Sequence, residues 1–479
     1  MVARTSTTIA LVALAVATYA YSALTHRAFY ADGAYFFANL LNRQGPWFLT
    51  DDSKHMRLFA NFVSQFPVSL GLKIGVTDLE ILRILFGFGV FFSPLLAIGL
   101  LALLSKTSNS WSVFNFSLVS FFSSVVPSQI FAINQSILAS TLVWIVMHFA
   151  LSRKDRLGKL EWIALIGSSC LLFMAHENIL IWGSILAGAG ILNARNLRKS
   201  KFRDAPGYLR FVVFSSIAQV LFTFLWQGSH PVDSQTTSYL QLFANLSIAQ
   251  LAQSGQLIGS VFSIGAMFLV LCYWHDSGFL SKRLAWITVV TASTLVIARG
   301  IQPYFAPSMI QPGVEFTMRV LITSGTALWL IVALMNRFAR PMTPVSQYRP
   351  LVVLTCACVI SSFMWQVAET TQWTKFEKAV ESLTSQSDLS IVPYEAAQAE
   401  ISKLGDEIWK YSWPWTGPAL TIAVSKDTEI TSFLGTSPEY SSFIVLPQKP
   451  ADYPSIPFLT YEESTFLDFS SFNAKLASR

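Results

Sequence analysis

Between His26 and Glu80 lies a long polar loop, bracketed by apolar runs at Thr8–Leu24 and Ile81–Leu104. It opens Tyr30-Ala31-Asp32-Gly33-Ala34-Tyr35-Phe36-Phe37. After the acidic pair Asp51-Asp52 it continues Met56-Arg57-Leu58-Phe59-Ala60-Asn61-Phe62-Val63. Both runs read as short amphipathic helices lying on a membrane surface, each started by an aspartate suited to capping it. Charged groups kept beside a bilayer need partners or a task, and chemistry is one such task.

The rest of the chain shows why a membrane is the frame. Of 479 residues, 53% are hydrophobic and only 13% charged, where a soluble chain carries about 25% charged residues. Apolar runs recur at Thr8–Leu24, Ile81–Leu104, Trp111–Val126, Ile130–Leu151, Leu160–Ala175, Ile179–Leu192, Tyr208–Trp226, Leu257–Trp274, Leu284–Ala298, Phe316–Met335 and Leu351–Val367. The expected fold class is therefore an all-α polytopic membrane protein of about eleven spans. Arg4 gives the first run the flank of a signal peptide, and an uncleaved span is the preferred reading because the topology closes with it.

Lys and Arg placement orients the spans. The connectors Arg153–Lys159, Arg195–Arg210, Lys282-Arg283 and Arg337–Arg349 fall on one side with Arg4 and Lys106. The short connectors around Pro127 and His176 and the segment Gln227–Gln256 hold no Lys or Arg. The basic side is expected to be cytoplasmic, in a multi-pass protein of the cytoplasmic (inner) membrane. The opening loop and everything after Val367 then lie outside. Residues 1–367 are expected to form the transmembrane domain, with the juxtamembrane loop 26–80. Residues 368–479 are expected to form a small extracytoplasmic α/β domain, with helices at Trp373–Leu383 and Tyr394–Leu404 and strands at Ala419–Val424 and Phe443–Leu446.

The formal charge of +6 includes no basic stripe with interleaved aromatics outside the connectors, so no nucleic-acid partner is expected. Cys170, Cys272, Cys356 and Cys358 all fall in apolar runs. The Cys356-x-Cys358 spacing has no second pair to complete a metal site, and the tail has no cysteine for a disulfide.

Polar groups collect on the outer face: Asp32, Asp51, Asp52, Lys54, His55, Arg57, His176, Glu177, His230, Asp233, Arg299, Gln302, Glu315 and Arg319. Asp32 can cap the helix from Gly33, or take a proton from a hydroxyl held at the surface, or do both. Asp52, His55 and Arg57 fit a solvated helix start, and equally a phosphate or divalent metal of low-specificity spacing. His176-Glu177 interrupts apolar sequence at a span end, where burial would shift both groups unless they find partners or face water. Arg299 and Arg319 break the rule that outer connectors lack cations. Each can grip phosphate oxygens, and Arg319 can instead pair with Glu315.

This arrangement resembles the GT-C class of integral-membrane glycosyltransferases. In that class a long first outer loop forms two juxtamembrane helices and carries a catalytic aspartate soon after span one, and many members add an outer C-terminal domain. Asp32, in Tyr30-Ala31-Asp32-Gly33-Ala34-Tyr35, stands in the aspartate's place. The Asp-Glu pair of many members is here Asp32-Gly33. The resemblance implies a polyprenyl-phosphate-linked sugar donor, a lipid or glycan acceptor, surrounding membrane lipids and no cofactor, with a divalent metal left open. It makes Asp32 the general base, with Asp52 and Glu177 as the other catalytic candidates. It gives Lys54, His55, Arg57, His176, Arg299 and Arg319 to the substrate, the cations facing the leaving phosphate. Two other classes stay open. A transporter or flippase of a lipid-linked or small polar substrate would place ionisable groups on broken helices at mid-membrane. A non-catalytic scaffold displaying the tail would not need the acidic loop.

Overall fold

The computed structural model describes residues 2–43, 57–108, 111–128, 136–198, 202–229, 256–274, 279–309, 315–338, 349–438 and 466–478. These are mostly helical, with one very small sheet.

The first apolar run is helix α1 (Val2–Leu24), and the two surface runs are α2 (Asp32–Arg43) and α3 (Leu58–Lys73). Helix α4 (Leu79–Thr107) starts where Asp78 accepts the Glu80 and Ile81 N–H groups at 2.8 and 3.3 Å, which satisfies two donors that a helix start leaves open. Then follow α5 (Trp111–Ser120), α6 (Ser136–Ala150), α7 (Lys159–Leu172), α8 (Ile179–Arg198), α9 (Gly207–Ser229), α10 (Gln256–Trp274), α11 (Phe279–Phe305), α12 (Glu315–Phe338) and α13 (Arg349–Gln386).

Among the described residues, five helices are long and apolar enough to cross a membrane: Leu79–Thr107, Gly207–Ser229, Lys282–Phe305, Leu321–Phe338 and Arg349–Gln386. Four shorter apolar helices accompany them, at Val12–Leu24, Trp111–Val125, Ser136–Ala150 and Leu257–Leu271. This set is compatible with a multi-pass membrane protein. Large apolar side chains such as Phe214, Leu221, Phe224, Leu225, Ile287 and Val290 point outward, an arrangement that water penalises and lipid does not.

Hydrogen bonds sort the helix ends into two groups. At one end Asn193 donates to Ala150 O and Ser152 O (2.9 and 2.7 Å), Tyr208 donates to Lys154 O (2.7 Å), and Arg337 bonds Leu151 O and Asn193 Oδ1 (3.3 and 3.1 Å). The start of the Arg153–Lys159 connector, the last turns of α8, the start of α9 and the end of α12 meet there. At the other end the α1–α2 corner, the start of α4, α13 beyond its apolar part and the C-terminal region come together.

The third expected span is not one regular helix. After Ser120 the chain widens into a π-turn (Phe121–Val125) and a 3-10 turn (Val126–Ser128). A π-turn loosens the regular carbonyl ladder, and α13 bonds into it: Cys358 Sγ reaches Phe122 O at 3.4 Å and Gln366 Nε2 donates to Val126 O at 2.7 Å.

Beyond residue 367, where the sequence reading ends the last span, α13 runs on without a break to Gln386. The expected helix Trp373–Leu383 is thus the outward part of the same rod. Helix α14 (Tyr394–Ser402) forms within the expected range, and a short α15 (Asp406–Trp409) follows. The strand expected at Ala419–Val424 is instead helix α16 (Gly417–Val424). Pro418 in its first turn presets the helical φ, and all eight residues are buried, so the run carries no alternation to mark a strand or a helix face. The strand expected at Phe443–Leu446 lies outside the described residues. The sheet is one parallel pair, β1 (Ile391–Val392) and β2 (Phe433–Leu434), with Ile391 opposite Phe433 and Val392 opposite Leu434. A last helix, α17 (Ser470–Ala477), packs Phe472 on Phe433.

Candidate functional site at the non-basic end of the bundle

Two and seven residues past the end of α1 the backbone takes left-handed turns at residues that are not glycine, His26 (φ 56°) and Ala31 (φ 52°). Such positions cost roughly 1–2 kcal/mol each and persist where surrounding contacts dictate them. The contacts are visible. Arg27, with no exposed surface, donates to Ser22 Oγ at 2.8 Å and to Gln366 Oε1 at 3.0 Å. Gln366 passes its own N–H to Val126 O, so its amide orientation is set by both partners. Tyr30, 2% exposed, meets the ring edges of Trp373, Tyr411 and Trp413, with centroids 5.9–6.5 Å away.

Deeper at the same end sits Glu369, 2% exposed, within electrostatic reach of both Arg27 and Arg299. Arg299, 5% exposed, bonds Gln302 and stacks on Trp365 with its Cζ 4.3 Å from the ring centroid. A charge removed from water needs such compensation; the guanidinium gains both ion and ring partners. Burial pulls the Arg27 pKa down to about 10, with Glu369 the largest opposing influence. It therefore stays charged at neutral pH. Tyr411 closes the group by donating to the Glu369 carbonyl at 3.1 Å.

Asp32 is the first residue of α2, not the residue before it. Ala31 makes the turn, and Tyr30 O accepts the Gly33 N–H at 3.2 Å. The carboxylate is half-buried at the positive end of the helix, where a negative charge is favoured. Helix α2 packs on the wholly buried α16, and Tyr35 meets Trp415 at 5.7 Å.

A second cluster unites three of the residues singled out in the sequence. The His176-Glu177 turn faces the start of α3: Phe59 N–H bonds Met174 O at 3.1 Å, and Arg57 Nε lies 4.0 Å from Glu177 Oε1. His176, 1% exposed, accepts the Asn178 N–H on Nδ1 at 3.2 Å. The same Nδ1 lies 3.3 Å from Glu177 Oε2, so the turn brings the ring and the carboxylate together. The turn is thus buried against α3 and does not face open water.

Arg319 lies in the first turns of α12, and neither its side chain nor that of Glu315 is among those described. Asp51, Asp52, Lys54, His55, His230 and Asp233 lie outside the described residues. Among the described residues no group of three or more His, Cys, Asp or Glu side chains is placed to hold a metal ion.

The sequence reading passed over His26, Arg27, Glu80, Gln366, Glu369 and Glu377. Arg27 carried a usable signal, since it breaks the rule on outer cations just as Arg299 does. So did Ser362, Gln366, Glu369, Thr370 and Trp373, which share one helix face and are all buried on α13; polar residues recurring on one face mark it as turned to protein. Set beside known proteins, the chain matches no family model, no curated protein and no solved structure.

Proposed function

We propose that this chain is a membrane glycosyltransferase of GT-C type, with about eleven spans and a small extracytoplasmic α/β tail. In the cytoplasmic membrane, with its basic end inside, it moves a sugar from a polyprenyl-phosphate carrier to a lipid or glycan acceptor at the outer face. The observation that carries the reading is the position of Asp32. It opens an amphipathic surface helix directly after the first span, on a left-handed corner fixed by buried side chains of the last long helix.

In this reading the acceptor hydroxyl gives its proton to the Asp32 carboxylate, and its oxygen bonds the anomeric carbon. The bond from that carbon to the lipid-phosphate oxygen breaks, and polyprenyl phosphate leaves with the electron pair. One in-line displacement inverts the sugar carbon. Cations at the same end stabilise the charge developing on the phosphate. Arg299 and Arg319 are the candidates, with Lys54 or Arg57 assisting.

The experiment is a lipid-linked sugar transfer assay on membranes with and without the protein, repeated for Asp32→Asn. General-base catalysis contributes roughly 10²–10⁴-fold. Transfer by Asp32→Asn is expected to fall by at least about a hundredfold at unchanged membrane level. Near-normal transfer would remove Asp32 from the chemistry and pass the base to Asp51, Asp52 or Glu177, or end the catalytic claim. Arg57 would then act through its contact with Glu177, and His176 through the same turn.

A further inference from the structure

We propose that His26, held between Glu80 and Glu377, is a proton-dependent clasp that fastens the outward part of α13 to the α1–α2 corner and to the start of α4. Nδ1 of His26 lies 2.6 Å from Glu377 Oε1 and Nε2 lies 2.9 Å from Glu80 Oε1. An ionised carboxylate only accepts, so each contact needs an N–H, and only the imidazolium has two. A neutral ring keeps one; its other nitrogen turns a lone pair toward a carboxylate, and that contact opens. Burial disfavours the charged ring, but the Glu377 hydrogen bond and the charges of Glu377 and Glu80 outweigh it, holding His26 above its ordinary pKa.

The charged groups around the ring show what the proton fastens. From α4 it meets Glu80, which also holds Arg83 at 3.3 Å, beside the helix cap Asp78. Arg83 donates onward to Ala423 O at 2.7 Å and to Ser425 O, at the carbonyl end of α16. From α13 the ring meets Glu377; one turn further, Glu381 pairs with Lys426, next to Ser425. From its own corner, Arg27 points instead to Ser22 and Gln366, and Phe29 lies beside the ring at 5.8 Å. A closed circuit therefore runs from the corner through α4, the end of α16 and α13 back to His26. The ring is its one group that changes charge near neutrality. Raising the pH opens the circuit at the left-handed residue itself, and the strained corner that leads to Asp32 is released. This holds whether or not the chain transfers sugars.

The test uses the full-length protein in lipid nanodiscs, with histidine 13Cε1 labelling and NMR titration, and hydrogen exchange over residues 26–36 corrected for intrinsic pH dependence. His26 is expected to titrate with a midpoint above about 6.5. Glu80→Gln and Glu377→Gln should each lower that midpoint. Glu80 is half exposed, so its variant keeps the fold. Protection of residues 26–36 should drop as wild type passes the midpoint, and in Glu377→Gln it should already be low at acid pH. A His26 midpoint at or below about 6.5, a midpoint unmoved by both variants, or protection independent of pH would overturn the clasp.

Discussion

Arg27 is fully buried, yet it is one of the most connected side chains of the molecule. It reaches Ser22, Gln366 and the field of Glu369. Burial pushes the Glu369 carboxyl up to about 8 against the pull of Arg27 and Arg299. Loss of Arg27 therefore leaves Glu369 the company of Arg299 and strands the buried Ser22 and Gln366 acceptors, at about 1–3 kcal/mol each. Arg27→Met should lower thermal stability, and adding Glu369→Gln should restore part of the loss above pH 8, where the carboxyl is charged. A double mutant no more stable than the single one in a melting assay at about pH 9, above that carboxyl's pKa, would dissolve the pair. Ala31 permits a second test. At φ 52° a β-branched side chain is a steric outlier, so Ala31→Val should destabilise while Ala31→Gly should not. Equal melting temperatures for the two variants would show that the left-handed turn is not enforced. For His26 the sign follows from its folded pKa lying above the unfolded value. Its stabilisation is full below about 6.5 and is lost as pH rises through the folded value. The difference in melting temperature between wild type and His26→Gln should shrink from pH 6 to pH 9.

Among elements, α13 decides most. It is a span and an outward strut in one rod of 38 residues, so the C-terminal contacts at Tyr411 and Glu377 are held at fixed distance from the bundle. Its closest neighbour is α11, where a Cβ on Gly300 would meet Ser361 O at 2.6 Å and Ser361 Cα at 2.8 Å. Backbone that close cannot yield cheaply, and small residues are what allow such approach in membranes. Gly300→Ala should therefore reduce folded yield and melting temperature. Gly99, with nothing within 4 Å of its would-be Cβ, is the matched control: Gly99→Ala should be neutral or slightly stabilising, since alanine favours helix by about 1 kcal/mol. If the two variants behave alike, helix propensity and not close packing sets the effect.

For the whole molecule, the two-ended sorting of hydrogen bonds makes topology the decisive measurement. The exposed residues Asp155 and Ser385 belong to opposite ends of the bundle. In the proposed orientation, a cysteine at Ser385 in a cysteine-free background should react with an impermeant reagent in intact cells, and one at Asp155 should not. The reverse pattern would put Asp32 inside and end the outer-face glycosyltransferase reading.

The sequence by itself determined that the chain is helical and apolar enough to cross a membrane. Span-length runs and one-sided Lys and Arg are local and additive signals, independent of which helices touch. The helical state of α2 and α3 was legible for the same reason, since the period lies within about a dozen positions; the burial of α2 and the start of α3 at Arg57, with no side-chain cap, were not. The burial of the His176-Glu177 turn, the helical state of Gly417–Val424, the π-turn after Ser120 and the length of α13 were not. The first three depend on partners distant in the chain: α3 for the turn, α2 for Gly417–Val424, Gln366 and Cys358 for the π-turn. Only the tertiary structure brought His26 to Glu80 and Glu377, and Arg27 to Gln366 and Glu369. These pairs are more than 50 and more than 330 residues apart respectively, and nothing in local patterning encodes which buried charge will meet which. Buried charges persist only in company, and the packing of α1, α4 and α13 supplied it.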